Sequence, residues 1–156
     1  MKRTVTMGLL ALAMATGLFV ASNGFAVDAH TTSKFEGVKA NTGTAMHGRQ
    51  GNNDTLTWSE EFKIPDTPAP HWQVVDTKGN VFLLQRLKIK GDKENRTITV
   101  PSYIHDVAKV QIYCAWAEAL LGEASFAKPI MTVAGEAAMM HADNAMGKHS
   151  GMAMGR

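Results

Sequence analysis

The stretch KVQIYCAWAEALLGEASF, residues 109–126, decides the fold class because its two halves favour different structures. The second half is rich in strong helix formers such as Ala, Glu and Leu. The first half instead alternates between two faces, which is the period-two pattern of a strand. One of these faces collects Val110, Ile112, Cys114 and Trp116. We give the alternation more weight than helix propensity and predict a strand over residues 110–116.

The rest of the chain up to Phe126 is divided into short runs of apolar or alternating residues. Examples are DTLTW (54–58), HWQVVD (71–76), VFLLQRLKI (81–89) and RTITV (96–100). The segments between them are rich in Gly, Pro, Asn or Asp, as is typical of hairpins and loops. They include RQGNND (49–54), PDTPAP (65–70), TKGN (77–80) and KGDKEN (90–95). The spacing predicts an all-β fold, a small antiparallel sandwich or barrel.

The amino terminus has the pattern of an export signal. Lys2 and Arg3 precede an uncharged apolar run over residues 7–21, shorter than the roughly 20 residues that a membrane-spanning helix needs. We predict a signal peptide over residues 1–26 and a periplasmic or extracellular protein of the bacterial envelope. No second long apolar run follows, so we expect no stable membrane insertion after cleavage.

Two cleavage sites fit the preference of signal peptidases for small residues. Gly24 and Ala26 offer one site, which we favour, and Val27 and Ala29 offer the other. Cleavage after Ala29 would make His30 the first residue of the mature protein. An N-terminal histidine can chelate copper through its amine and its ring.

The charge of the mature chain gives no sign of a nucleic-acid partner. Removing Lys2 and Arg3 from the 16 basic residues leaves 14, which equals the number of acidic residues. No cluster of Lys and Arg remains to bind nucleic acid or anionic lipid. A mature chain of this size can bury one core, so we predict a single β domain over residues 27–130.

The composition changes after Pro129, and we predict a flexible, Met/His-rich tail over residues 131–156. Six of the ten methionines lie in this segment. Thioether and imidazole groups suit copper, particularly Cu(I). The candidate ligands are Met139, Met140, His141, Met146, His149, Met152 and Met154. The alternative is a solvated tail that binds no metal.

The single cysteine, Cys114, has three interpretations. It is a small apolar side chain on a buried strand face, a working thiol or ligand of a metal or haem iron, or a partner in a disulfide with another chain. A working role predicts a sulfur that is reached by solvent or lies beside a cofactor cavity. Redox chemistry between two cysteines of one chain is excluded, and covalent c-type haem attachment is excluded because CxxCH is absent.

The histidines of the predicted domain are isolated in sequence. His71 and His105 could approach Cys114, but nothing in the pattern requires it. Isolated loop histidines such as His47 are usually surface residues or local hydrogen-bond partners. The sequence contains neither GxSxG nor HExxH, nor a phosphate-binding Gly-rich loop. It therefore offers no hydrolase motif.

The run RTITVPSYIHDVAKVQIYCAWAEALLGEASF, residues 96–126, resembles the closing part of the DM-thirteen electron-transfer domain family. The matching positions, in order, are Pro101, Ile104, Asp106, Val110, Ile112, Cys114, Gly122 and Ala124. Three earlier segments resemble the front half of that domain, namely FEGVKANTGTAM (35–46), DTLTWSEEFKI (54–64) and APHWQVV (69–75). The resemblance covers residues 33–126, most of the mature chain.

The resemblance implies a compact exported β domain in which Cys114 acts in redox chemistry, as a bare thiol or by holding a prosthetic group such as haem. It also implies a turn or bulge at Gly122 before a short final strand over residues 124–126. We therefore predict an exported redox or electron-transfer protein with a redox partner protein. The alternatives are a copper-binding or copper-delivery protein that uses the tail, and a structural or adhesive β module without chemistry.

Overall fold

The computed structural model describes residues 30–150, and their side chains as far as residue 144. The predicted signal peptide, residues 1–26, lies outside the described residues. The strands are β1 (Ala45–Gln50), β2 (Asn53–Trp58), β3 (Pro70–Val75), β4 (Val81–Arg86), β5 (Thr97–Thr99), β6 (Asp106–Cys114) and β7 (Ala119–Met131). A 3-10 turn lies at Lys90–Asp92, and the helix α1 spans Val133–Ser150.

The strands form two antiparallel sheets, one of order β1-β2-β5 and one of order β4-β3-β6-β7. Buried side chains from both sheets belong to one hydrophobic cluster. At its centre the Trp58 ring of β2 stacks on the Trp72 ring of β3, with ring centroids 5.0 Å apart and planes inclined by 21°. The prediction of a mostly β, antiparallel fold is therefore confirmed.

The alternation between a buried and a less buried face, which the 109–126 stretch predicts, is present in β6. Val110, Ile112 and Cys114 are each 0% exposed, as the predicted face requires. The predicted strand end is wrong, because β6 stops at Cys114 and Trp116 lies in the turn to β7 with 75% of its surface exposed. Glu118 closes this turn in the left-handed region, with φ of 50°. Pairing with β3 and β7 on either side overrides the helix propensity of the segment.

The bulge expected at Gly122 is present. Tyr113 pairs with Leu120 and Ile112 pairs with Gly122, so Leu121 is an extra residue on β7. The carbonyl oxygen of Leu121 accepts hydrogen bonds from two backbone N–H groups of the N-terminal segment, those of Lys39 and Ala40, both at 3.0 Å. The final strand is not the short piece expected over residues 124–126, since β7 runs through the whole of Ala119–Met131.

The flexible tail predicted from residue 131 needs correction. Met131 is the last residue of β7, and the chain continues as α1. The hydroxyl of Thr132 accepts a hydrogen bond from the N–H of Gly135 at 3.0 Å, which is an N-cap. The Ala- and Met-rich sequence after this cap has high helix propensity. Neither this helix nor any other in the described part of the chain is long and apolar enough to cross a membrane.

Candidate functional site: a covered thiol at the β6–β7 hairpin

Cys114 lies where three strands meet. It is the last residue of β6, opposite Ala119 of β7 on one side and Pro70 of β3 on the other. The next residue, Ala115, donates its N–H to the carbonyl oxygen of Ala69 at 3.0 Å. This bond fixes the loop before β3 against the β6–β7 turn, next to Cys114.

Hydrogen-bond donors surround the Cys114 sulfur. The N–H of Ala117 is the strongest influence that lowers the pKa of the thiol, and the N–H groups of Ala69 and Trp116 and the hydroxyl of Thr67 act in the same direction. Burial opposes them, because loss of water disfavours the charged thiolate. The effect of the donors on the pKa is larger than that of burial, so the pKa of Cys114 lies below that of an ordinary thiol. The site therefore favours the thiolate, the nucleophilic form of cysteine.

Thr67 is the residue of this site that sequence reasoning missed. Its Oγ1 is buried and has no hydrogen-bond partner of standard geometry among the described residues. The hydroxyl is nevertheless near enough to the Cys114 sulfur to lower the pKa of the thiol. The segment PDTPAP was read only as a loop, and no pattern in it indicates that Thr67 faces a cysteine far along the chain.

A cleft of about 370 Å³ lies beside the thiol. Its walls are Val38, Lys39, Asp66, Thr67, Pro68, Cys114, Trp116, Ala117, Ala119 and Leu121. Cys114 borders this cleft but is itself 0% exposed, so the groups that cover it must move before a reagent can reach the sulfur. A cleft therefore lies beside Cys114, whereas the expected direct contact of its sulfur with solvent is not present.

The two histidines considered as neighbours of Cys114 are not among the residues that line its cleft. His71 directs Nδ1 to the carbonyl oxygen of Ala69 at 2.8 Å and lines a different cleft, of about 690 Å³, next to β4. His105 is held through its backbone carbonyl, which accepts the N–H of Thr132 at 3.0 Å. A Cys-His catalytic pair is therefore not assembled at this site.

The expectation of a haem at Cys114 does not fit these residues. An axial ligand must place its sulfur on the iron. The sulfur of Cys114 is covered even against a molecule of the size of water and faces backbone N–H groups of the turn. The covered sulfur is therefore not placed to bind a haem iron.

The tail residues proposed as copper ligands do not converge in their described part. Met139, Met140 and His141 are exposed on α1, and successive helical residues point about 100° apart. Among the residues that the structure describes, no group of three His, Cys, Asp or Glu is placed to hold a metal ion. The side chains of Met146 and His149, and all of Met152 and Met154, lie outside the described residues.

The fold and the site together define a mostly β protein with one covered cysteine, whose thiol pKa is lowered by neighbouring N–H and hydroxyl groups. Comparison of the chain with family models, with curated proteins and with solved structures gives no match. The resemblance to the DM-thirteen domain therefore stays a prediction, and the function has to be argued from the site.

Proposed function

We propose that the chain is an exported redox protein of DM-thirteen type, with its two sheets packed as a small sandwich and the Cys114 thiolate as its working group. The observation that carries the proposal is a covered cysteine beside a cleft, with a thiol pKa that neighbouring N–H and hydroxyl groups lower. A cysteine that only fills a core needs no such donors, and burial in apolar surroundings raises its pKa instead.

Thiol–disulfide exchange is the chemistry that this site supports best. The Cys114 thiolate attacks one sulfur of a disulfide on a partner, a new mixed disulfide forms, and the second partner sulfur leaves as a thiolate. The partner disulfide is the oxidant, and Cys114 becomes oxidised. Because the chain has one cysteine, an external thiol must reduce the mixed disulfide and release the Cys114 thiolate again.

The surface around the cleft supports a protein partner. Val38 and Trp116 line the cleft and are 81% and 75% exposed, although both are large and apolar. Exposed apolar residues grouped at one cleft are typical of interaction sites. A partner that docks there lies next to the groups that cover Cys114, and their movement would expose the sulfur.

Native alkylation with iodoacetamide tests the proposal. We expect the reaction rate to rise with pH at a midpoint below that of free cysteine, because the N–H donors favour the thiolate. Trp116→Ala should accelerate the reaction roughly tenfold by opening one wall of the cleft beside Cys114. Cys114→Ser, which has no thiol, is the negative control. No reaction in the native protein or in Trp116→Ala would leave Cys114 as a core residue and overturn the proposal.

A matched variant tests the donor set itself. Thr67→Val keeps the shape of the side chain and removes its hydroxyl, so the pH midpoint of alkylation should rise. Thr77→Val is the control, because its hydroxyl bonds to Asp106 at 3.1 Å, away from the thiol. Equal midpoints in the wild type and Thr67→Val would show that this hydroxyl does not act on Cys114.

The copper-delivery and structural alternatives remain predictions with less support. The helical course of residues 133–150 removes the backbone freedom on which wrapping an ion depended. A structural module needs no donors around a thiol. We therefore prefer the redox function to both.

A further inference from the structure

Two histidines, His30 and His47, face each other at the edge of β1. The proposed redox site uses neither of them. Nδ1 of His30 and Nδ1 of His47 are 3.0 Å apart. The ring centroids are 5.3 Å apart and the planes are inclined by only 20°. The distance between the ring centroids exceeds the distance between the two Nδ1 atoms by about twice the radius of an imidazole ring. Each ring therefore points its Nδ1 edge at the other ring. The backbone supports this approach, because His47 donates its N–H to the carbonyl oxygen of His30 at 2.7 Å.

The contact of His47 Nε2 with Asp54 determines the hydrogen-bonding role of His47 Nδ1. Nε2 lies 2.8 Å from Oδ1 of Asp54, and the two side chains are 3% and 5% exposed. A carboxylate oxygen accepts hydrogen bonds, so in a neutral His47 ring the proton lies on Nε2, and Nδ1 is then the nitrogen whose lone pair faces His30. A carboxylate that holds the far side of an imidazole is the usual support of a metal-binding histidine.

Asp54 is itself held in place. Its Oδ2 accepts the N–H of Val133 at 2.7 Å, at the start of α1. The guanidinium of Arg49 lies 3.4 Å from Oδ1 and also pairs with Glu136 of the helix. The carboxylate, and with it the His47 ring, is thus positioned by contacts to two separate parts of the chain.

We propose that His30 and His47 form a copper(II) site when cleavage takes place behind Ala29, the second of the two sites in the sequence and not the one favoured by its pattern, so that His30 is the N-terminal residue. The ligands are the His30 amine, its Nδ1 and Nδ1 of His47. The amine and Nδ1 of one N-terminal histidine chelate the same ion, and His47 adds the third nitrogen. The ion replaces the proton shared by the two Nδ1 atoms. The site involves neither Cys114 nor the predicted tail ligands.

The geometry leaves room for the ion. Metal–imidazole bonds of about 2.0 Å on opposite sides of an ion place the nitrogens about 4 Å apart, so the 3.0 Å pair must open by about 1 Å. A cleft of about 510 Å³ lined by His30, His47, Gly48, Arg49 and Glu136 adjoins the pair. Nitrogen donors bind Cu²⁺ more tightly than the other divalent first-row metals, which is why we assign copper.

The test uses the whole mature chain through Arg156 in two forms, one starting at His30 and one starting at Val27, with copper(II) sulfate as the probe. Competition with a chelator should show one Cu²⁺ bound about 100-fold more tightly by the form that starts at His30. Electron paramagnetic resonance of that form should show coupling to three nitrogens. Mass spectrometry of the exported protein should give His30 as its first residue.

Variants of the His30 form separate the ligands. His47→Ala should weaken Cu²⁺ binding at least tenfold, and so should His30→Ala, which keeps the amine and removes only the ring. His71→Ala is the matched control and should bind as the wild type does. Circular dichroism confirms that each variant is folded. Equal Cu²⁺ affinity of the forms that start at His30 and at Val27 would overturn the proposed site. An exported protein that begins at Val27 would overturn it as well.

Discussion

Gly122→Ala is expected to lower the free energy of unfolding by about 3 kcal/mol or more. A Cβ on Gly122 would overlap the carbonyl oxygen of Ala40 and lie 2.9 Å from the Ala40 Cβ. Ala40 is 0% exposed, and its N–H is bound to the Leu121 carbonyl oxygen beside the bulge. The added methyl can therefore be accommodated only by breaking that contact. Denaturant unfolding followed by tryptophan fluorescence measures the loss.

Gly48→Ala is the matched control, because Gly48 also lies in a strand but has space for a side chain. Its nearest atom to an added Cβ is the Thr55 Oγ1 at 3.1 Å, on a side chain that can adjust. Its stability should stay within about 0.5 kcal/mol of the wild type. Similar losses in both variants would show that glycine in these strands matters through backbone freedom, not through the approach of Ala40.

The sequence predicted the β6 strand correctly because alternation reports burial directly. Val110, Ile112 and Cys114 lie on one face, and that face is covered by the core of the molecule. Trp116 has the spacing of that face but lies beyond the end of the strand. Nothing local marks the point where β6 ends, since the turn at 115–118 is set by the pairing of β6 with β7.

The tail prediction was wrong over residues 133–150 because composition says little about tertiary contacts. The residues after Thr132 offer few groups for a core, which favours disorder when the segment is considered alone. In the fold, the hydroxyl of Thr132 also donates to the carbonyl oxygens of Ile104 and His105, at 2.8 and 2.9 Å. Asp54 accepts the N–H of Val133. These partners come from distant segments and fix the start of the helix.

The candidate site could be predicted only in part for the same reason. A single cysteine on a strand is visible in the sequence, and so is the option that it is buried. The donors that favour its thiolate come from the turn after β6 and from the loop that holds Thr67 and Ala69. Likewise, the isolated sequence positions of His30 and His47 give no sign that β1 brings their rings together.

Asp54→Ala is expected to destabilise the protein by about 3 kcal/mol. The carboxylate is 5% exposed and accepts from His47 Nε2 and from the N–H of Val133, at 2.8 and 2.7 Å. Its removal leaves these donors without their acceptor, and each such loss costs about 1–3 kcal/mol. The positive charge of Arg49 also loses one of its two carboxylate partners.

The loss in Asp54→Ala should be concentrated where α1 begins. Amide hydrogen exchange at Val133 should accelerate together with the fall in unfolding free energy, because this N–H is bound by the removed carboxylate. Asp66→Ala, an exposed aspartate in a loop, should leave both measurements near the wild type. Asp54→Asn keeps one carbonyl acceptor and should fall between them. Were Asp54→Ala as stable as Asp66→Ala, the carboxylate could not be what holds the helix and the His47 ring against β2.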